Sequence, residues 1–459
     1  MVETTRSSSS VKKTRPKGAP YPGVLKGAKP LQKKTLEGRK LYIPQMAYEG
    51  AKVLAAAMRS VGIDATISPF SDSRTLELGA RYTSGDECYP EQVTLGDFLK
   101  VTEQPGFDPS KVAFFMPSAG GPCRFGQYAG FADMVMRQLG YEDVLILSPT
   151  STNSYDEVGE HATELIRTAW RAVVSGDILR NLLHRTRPYE INKGDTEEAY
   201  EKSIDEVCAV LEKPGISHRK RIAELVETLK AIRERFRSIP AEYDPEFPLI
   251  GVVGEIFCRL NSFSNENIIK AIEKFGAEAW LAGVSEWIWH TNNEQLMNLR
   301  KNGKRFSMTM LVAKLKNYIQ RKDEHALMSV FHEDFTGYEE AEDIKVILEN
   351  SIPYLPYYGC LGEMVLSIGG AIYLYEKGVD GIADVSPFTC MNGIASEAVF
   401  PHVSRDHDSL PVRTFYFDGT QSDLDRDVGI FIELARNYKR KKTKKRTYPF
   451  YFNINNYLT

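Results

Sequence analysis

The run Val112-Ala113-Phe114-Phe115-Met116 is followed at once by Pro117-Ser118-Ala119-Gly120-Gly121-Pro122-Cys123-Arg124. Five apolar residues bounded by turn-forming residues are typical of a buried strand. The two glycines allow the backbone to approach another group closely, and Pro122 suits the first turn of a helix. The stretch therefore predicts a strand that ends in a loop, with a cysteine where the next helix begins.

Strand and helix patterns alternate on both sides of this stretch. We predict strands at 40–43, 64–68 and 144–148, and helices at 45–61, 90–101 and 126–139. A second set of the same kind starts with the apolar run Leu249-Ile250-Gly251-Val252-Val253-Gly254 and continues to a strand at 412–417. Such alternation predicts parallel sheets with crossover helices, so the fold class is α/β with two similar lobes.

The stretch between the two sets is different, because long, charged, amphipathic segments dominate it and predict helices. The predicted organisation is a disordered basic tail at 1–36, a first lobe at 37–154, a helical segment at 155–245, a second lobe at 246–438 and a basic C-terminal tail at 439–459. We predict a solvated helix end for the basic run at 439–446, with binding of an anionic partner as the alternative.

Composition excludes several classes of protein. The net charge of −3 gives no general case for nucleic-acid binding, and no apolar run approaches the roughly 20 residues that span a bilayer. Residues 1–34 lack the apolar core of a secretory signal, so we expect a cytoplasmic protein. Neither a GxxxxGK[ST] loop for ATP hydrolysis nor a GxGxxG dinucleotide motif occurs where a strand meets a helix.

Three of the six cysteines, Cys88, Cys123 and Cys390, are predicted at junctions where a strand ends and a helix begins. Unpaired backbone N–H groups at a helix start stabilise thiolates, and such loops are where open α/β sheets bind ligands. We therefore predict one metal or iron–sulfur pocket in the cleft between the lobes. Cys258 is a weaker candidate, Cys360 is weaker still, and the apolar surroundings of Cys208 indicate core packing.

Four segments resemble the 2-hydroxyacyl-CoA dehydratase component family, in the branch found as the C-terminal part of large CoA-substrate-specific enzyme activase proteins. They lie between about residues 41 and 419 and are Gly85-Asp86-Glu87-Cys88-Tyr89-Pro90-Glu91-Gln92-Val93-Thr94, Phe115-Met116-Pro117 with Gly121-Pro122-Cys123-Arg124-Phe125-Gly126-Gln127-Tyr128, Gly254-Glu255-Ile256-Phe257-Cys258-Arg259-Leu260-Asn261 with Phe263-Ser264-Asn265-Glu266, and Pro387-Phe388-Thr389-Cys390-Met391.

The resemblance implies two Rossmann-like lobes and a 4Fe-4S cluster held by Cys88, Cys123 and Cys390, with a double-cubane cluster as the variant found in a relative. It also implies that a separate ATP-hydrolysing activase supplies low-potential electrons for reductive or radical chemistry. An acyl-CoA or another small molecule would be the substrate, and pairing with a second copy or a similar subunit is expected.

Several alternatives stay open at this point. The chain is either an enzyme component, a dehydratase or an ATP-dependent reductase, or a non-catalytic electron-relay or assembly partner that carries the same cluster. A third reading has no cluster, with the cysteines merely buried. The substrate, the cluster nuclearity, the fourth ligand and the roles of Cys258 and Cys360 are not determined by the sequence.

Overall fold

Two parallel sheets of four strands each form the frame of the molecule. The computed structural model describes residues 35–119, 123–149, 162–357, 362–420 and 422–452. The strands are β1 Lys40–Ile43, β2 Ala65–Ile67, β3 Val112–Phe115, β4 Leu145–Leu147, β5 Leu249–Gly254, β6 Glu278–Leu281, β7 Gly381–Pro387 and β8 Val412–Phe417. The strand orders are β2-β1-β3-β4 and β6-β5-β7-β8, so the two lobes share one topology. The predicted α/β class with two parallel-sheet lobes is confirmed.

Helices pack on both sheets and between them. Their bounds are α1 Tyr48–Arg59, α2 Ser73–Ala80, α3 Tyr89–Thr102, α4 Tyr128–Gln138, α5 Ala162–Thr186, α6 Asp195–Leu211, α7 His218–Arg237, α8 Ile256–Leu260, α9 Ile268–Lys274, α10 Val284–Lys301, α11 Met308–Met328, α12 Ile344–Ser351, α13 Gly362–Glu376, α14 Met391–Asp406 and α15 Leu424–Lys441. The long helix α5 contacts α1 and the β6 strand, so it joins the two sheets.

Strands β3, β5, β6 and β7 are buried along their whole length, as is usual for strands of parallel sheets that helices cover on both faces. In the first sheet, Leu41 and Ala113 pack towards the helical layer around α1 and α5, whereas Phe114 packs with α3 and α4. In the second sheet, Ile250 faces α9 and α15, and Val253 faces α13 and α14. Side chains alternate between the faces of a strand, so each sheet serves two cores.

Two local predictions were wrong. Helix α2 was missed, although Asp72 and Thr75 form a reciprocal capping box at its start. In the second lobe, Ser264 and the apolar spacing after it predict a helix from about residue 265 to residue 275, but α9 begins only at Ile268. The side-chain amide of Asn265 instead donates to the carbonyl oxygens of Cys258 and Arg259, at 2.9 and 3.1 Å, which holds this segment in a turn.

The basic run at 439–446 is not simply a solvated helix end. Lys442 lies 2.7 Å from the buried carboxylate of Asp380, and Arg446 lies 2.6 Å from that of Glu278. Glu278 also accepts a hydrogen bond from the Tyr189 hydroxyl at 2.8 Å. Sequence composition could not reveal these partners, because Asp380 and Glu278 precede the run by dozens of residues and meet it only in the folded lobe.

Among the described residues, no helix combines the length and the apolar character that a membrane crossing needs.

Candidate functional site

The three predicted cysteines each occupy the residue just before a helical segment. Cys88 precedes α3, Cys123 precedes a 3-10 turn at Arg124–Gln127, and Cys390 precedes α14, all with extended backbone. Cys123 and Cys390 follow strands β3 and β7 as predicted. The prediction of a strand before Cys88 was wrong, because helix α2 lies between β2 and this residue.

Backbone amides near these helix starts lower the pKa of the cysteine thiols. The amide of Glu91 lowers that of Cys88, the amide of Phe125 that of Cys123, and the amides of Asn392 and Gly393 that of Cys390. No sulfur of the three accepts a capping hydrogen bond, so the amides act on the thiolate as nearby dipoles. The three helix ends therefore offer the same partial stabilisation to a deprotonated sulfur.

Glu255 and Cys258 directly follow the end of β5 in the second lobe, Glu255 as the cap of α8 and Cys258 within that helix. The carboxylate of Glu255 accepts hydrogen bonds from the amides of Phe257 and Cys258, at 3.0 and 2.7 Å, and so caps the short helix α8. The amide of Glu255 donates to the carbonyl oxygen of Val385 in β7, at 2.9 Å. Gly254, with φ of +116°, allows this close contact between neighbouring strand ends.

The partly buried carboxyl group of Glu255 acts electrostatically on four cysteines. Its charge raises the pKa of Cys88, Cys123, Cys258 and Cys390, in each case in addition to a larger effect of burial. The pKa of Cys258 is raised further by Cys390 and Cys88. Thiols from both lobes therefore lie within the electrostatic influence of one carboxyl group, and Cys258 is among them.

A second contact connects the loops of the two lobes. A guanidinium nitrogen of Arg124, next to Cys123, lies 3.5 Å from the hydroxyl of Thr389, next to Cys390. Thr389 has φ of +65°, which a threonine rarely adopts without surrounding constraints. The sequence had suggested that Thr389 would bond to a cluster sulfur, but here its hydroxyl faces Arg124.

Glu255 is paired with a second buried carboxyl group, that of Glu363 at the start of α13. Burial raises the pKa of both groups, and the charge of Glu363 raises that of Glu255 further. Glu363 accepts hydrogen bonds of 3.2 Å from the amide of Ile256 and from the side chain of Asn392. Two carboxyl groups in such proximity tend to share one proton, since both cannot ionise in a buried site.

Arg259 contributes a buried positive charge beside Cys258. Its charge lowers the pKa of four buried carboxyl groups, namely Glu255, Glu286, Glu363 and Asp384. The Nε atom of Arg259 has no hydrogen-bond partner within the described ranges. A buried guanidinium with an unused donor is well placed to bind an anionic or carbonyl oxygen.

Burial disfavours the thiolate form of these cysteines. Burial raises the pKa of Cys88 and of Cys390 to about 12, although a contact with the Tyr128 hydroxyl lowers that of Cys88. Ligation of iron would require the loss of these protons, so any cluster binding must be coupled to proton release.

The other candidates are placed elsewhere. Cys208 lies buried on α6 with the helical core, as predicted, and Cys360 falls outside the described residues. His290 is buried on α10, and His402 is exposed on α14. In the described ranges, no three His, Cys, Asp or Glu side chains converge closely enough to hold a metal ion.

Two of the central residues were underrated by sequence reasoning. The dipeptide Gly254-Glu255 was noticed only as a weak polar pair, although its position directly after a buried strand could have indicated a ligand-facing loop. Glu363 gave no indication at all, since an acidic residue in the first turn of a helix is common.

In comparisons with known proteins, no family model and no curated protein matches the chain.

Proposed function

We propose that the chain is an iron–sulfur protein that accepts low-potential electrons from a separate ATP-hydrolysing activase and uses them for reductive or radical chemistry. The observation that supports this most directly is the group of four cysteines from both lobes around Glu255. Thiolates are the usual ligands of iron–sulfur clusters, and a cleft at the carboxyl ends of parallel strands is the usual ligand site of such sheets.

Cysteine is the donor type that a 4Fe-4S cluster requires, with a double-cubane cluster as the larger alternative, but the described side chains would have to move closer together to hold it. Cys88, Cys123 and Cys390 would be its ligands, because each precedes a helical segment whose backbone amides lower its thiol pKa. Cys258 is the candidate for the fourth ligand. When bound, the cluster would supply one-electron reduction at low potential and, with three protein ligands, an iron with a free position.

The surrounding residues have separate tasks in this proposal. The amides at the starts of α3 and α14 stabilise the thiolates, while the pair Glu255 and Glu363 holds a proton inside the cleft. Arg259 binds an anionic or carbonyl oxygen of the substrate, such as that of a thioester or carboxylate. Gly254 packs closely against Val385 of β7, which fixes the backbone that leads into Glu255.

Iron and sulfide analysis after anaerobic reconstitution tests the cluster. We expect bound iron, inorganic sulfide and an electron paramagnetic resonance signal of the reduced protein. Single replacements Cys88→Ala, Cys123→Ala and Cys390→Ala should lower the iron content, whereas Cys208→Ala, a buried cysteine far from the cleft, should not. Iron content at background, or spectra unchanged in Cys123→Ala, would remove the proposal. Cys258→Ala decides the fourth ligand.

Measuring substrate turnover distinguishes a catalytic component from an electron relay. With a reduced activase and small-molecule thioesters, a catalytic component consumes substrate, and Arg259→Gln raises KM more than it lowers kcat. A relay changes redox state under the same conditions but consumes nothing. The Arg259→Lys variant is the matched control, since it keeps the charge and loses the planar donor arrangement.

A further inference from the structure

Helix α11 exposes a stripe of large apolar side chains to solvent. Met308, Leu311, Val312, Leu315 and Tyr318 lie on its outer surface, and Phe306 precedes the helix, with exposures between 55% and 95%. Their spacing of three or four residues places them on one face of the helix. We call these six side chains the α11 face.

The opposite side of the helix carries its packing. Met310, Ala313 and Leu327 are buried there, and α11 contacts α5, α7 and α10. The described fold is thus complete without the α11 face, which makes no contribution to the core. Soluble proteins rarely expose a contiguous apolar area of this kind unless it binds something.

Basic side chains of α11 and of the turn before it surround the α11 face. Lys304, Arg305, Lys314 and Lys322 are exposed around it. Residues 295–322 contain eight Lys and Arg and no Asp or Glu, in a chain whose net charge is −3. The basic character is therefore a local property of this surface, and a complementary occupant must carry negative charge at its own rim.

Charge also excludes two occupants from the chain itself. A second copy docked through the same face would bring two basic rims together, which costs several kcal/mol in like-charge contacts. Residues 1–34 contain nine Lys and Arg and one Glu, so they share the sign of the rim. Neither occupant offers the opposite charge.

A bilayer is a poorer match than a protein. An interfacial helix sinks its whole apolar face some 5–10 Å into the headgroup region, and it is free to rotate while doing so. Helix α11 is fixed by its buried side and offers only a narrow stripe. A protein surface with one apolar ridge or groove has the matching shape.

We propose that the α11 face is the docking site for a separate protein whose contact surface is apolar with an acidic rim. This proposal does not depend on the iron–sulfur chemistry. The contact would be the helix-in-groove or helix-on-helix type, in which apolar anchors every three or four residues supply the affinity. The basic rim sets orientation and association rate.

A defined peptide pair tests the proposal on the full chain. One synthetic amphipathic helical peptide carries a Leu stripe flanked by Glu, and the other carries the same stripe flanked by Lys. In fluorescence anisotropy the Glu peptide should bind, more weakly at high salt, and the Lys peptide should not. Replacing Leu311 and Leu315 by Ser should weaken binding at least about tenfold, since both anchors are lost.

Charge exchange and a matched control make the result specific. The double variant Lys314→Glu/Lys322→Glu should no longer bind the Glu-flanked peptide and should bind the Lys-flanked peptide instead. Replacing Ile430 and Leu434 by Ser removes two exposed apolar residues on α15 and should change nothing. Circular dichroism and thermal unfolding confirm that each variant is folded.

Three outcomes would overturn the proposal. One is equal or absent binding of the two peptides. The second is a dimer in sedimentation that disappears when Leu311 and Leu315 are replaced, which would make a second copy the occupant. The third is co-sedimentation with phosphatidylserine vesicles that the same replacement abolishes, which would make a lipid surface the occupant.

Discussion

The two lobes share a strand order but differ in the loops that carry their site residues. In the second lobe, the end of β5 is in contact with β7 through Gly254, and buried Glu255 and Glu363 tie α8, α13 and α14 together. In the first lobe, Cys88 follows a more exposed loop whose Gly85 has open space around it. One lobe thus fixes the geometry of the site, and the other adds thiols to it.

The largest expected effect is that of Gly254→Ala. An added Cβ would lie 2.0 Å from the carbonyl oxygen of Val385, and the φ of +116° disfavours any side chain. Both strand ends must separate, so we expect a loss of at least about 3 kcal/mol in unfolding free energy. Urea denaturation followed by circular dichroism measures it.

Gly85→Ala is the corresponding change in the first lobe. Gly85 also has a positive φ, of +97°, but a Cβ there would meet nothing within 4 Å. The cost should be limited to backbone strain of about 1–2 kcal/mol. Equal losses for the two variants would contradict the contrast between the lobes.

Two buried carboxyl groups, one in each lobe, should affect the pH dependence of the unfolding free energy to different degrees. Burial raises the pKa of Asp384 to about 7 and that of Asp97 to about 6. Asp97 accepts 2.7 Å hydrogen bonds from Ser71 and Thr75, whereas one oxygen of Asp384 has no partner within the described ranges. The protein's hydrogen-bond donors therefore stabilise the ionised form of Asp97 more than that of Asp384.

The sign of the effect follows from the direction of the shifts. A carboxyl group with a raised pKa in the folded state stabilises the fold only while protonated, so its contribution is complete below about pH 4 and is lost as the pH rises. We expect Asp384→Asn to gain on the order of 2–4 kcal/mol over the wild type between pH 4 and 7. The Asp97→Asn variant should gain less unfolding free energy over the wild type, and this gain should stop increasing near pH 6. Denaturation midpoints from pH 4 to 8 measure both, and a flat difference for Asp384→Asn would refute the ionisation.

The smallest effect is expected for Tyr128→Phe. The Tyr128 hydroxyl contacts the sulfur of Cys88 and lowers its pKa. Removing it should cost about 0.5–1.5 kcal/mol and slow the alkylation of Cys88 at a given pH, because less thiolate forms. Maleimide labelling with mass spectrometry measures the rate. Tyr141→Phe, whose ring packs on Phe107, is the control and should leave the rate unchanged.

The sequence predicted the strands more reliably than the site. Val112–Phe115, Leu249–Gly254 and Val412–Phe417 are short apolar runs between turn residues, so local pattern determines them. Cys123 comes after the first of these strands and Cys390 comes after β7, so their positions at helix starts were also predictable. The pairing of Glu255 with Glu363 and the burial of Arg446 against Glu278 depend on contacts between segments far apart in the chain, about which local composition is silent.

The buried ion pairs of Lys442 and Arg446 have a consequence for synthesis on the ribosome. Asp380 and Glu278 are translated before the two basic residues that neutralise them, and those basic residues follow all four strands of the second sheet. Until those residues emerge, the nascent lobe would have to bury uncompensated carboxylates, which is costly. The second lobe should therefore close late during translation, so that the first sheet is already in place when the cleft between the lobes forms.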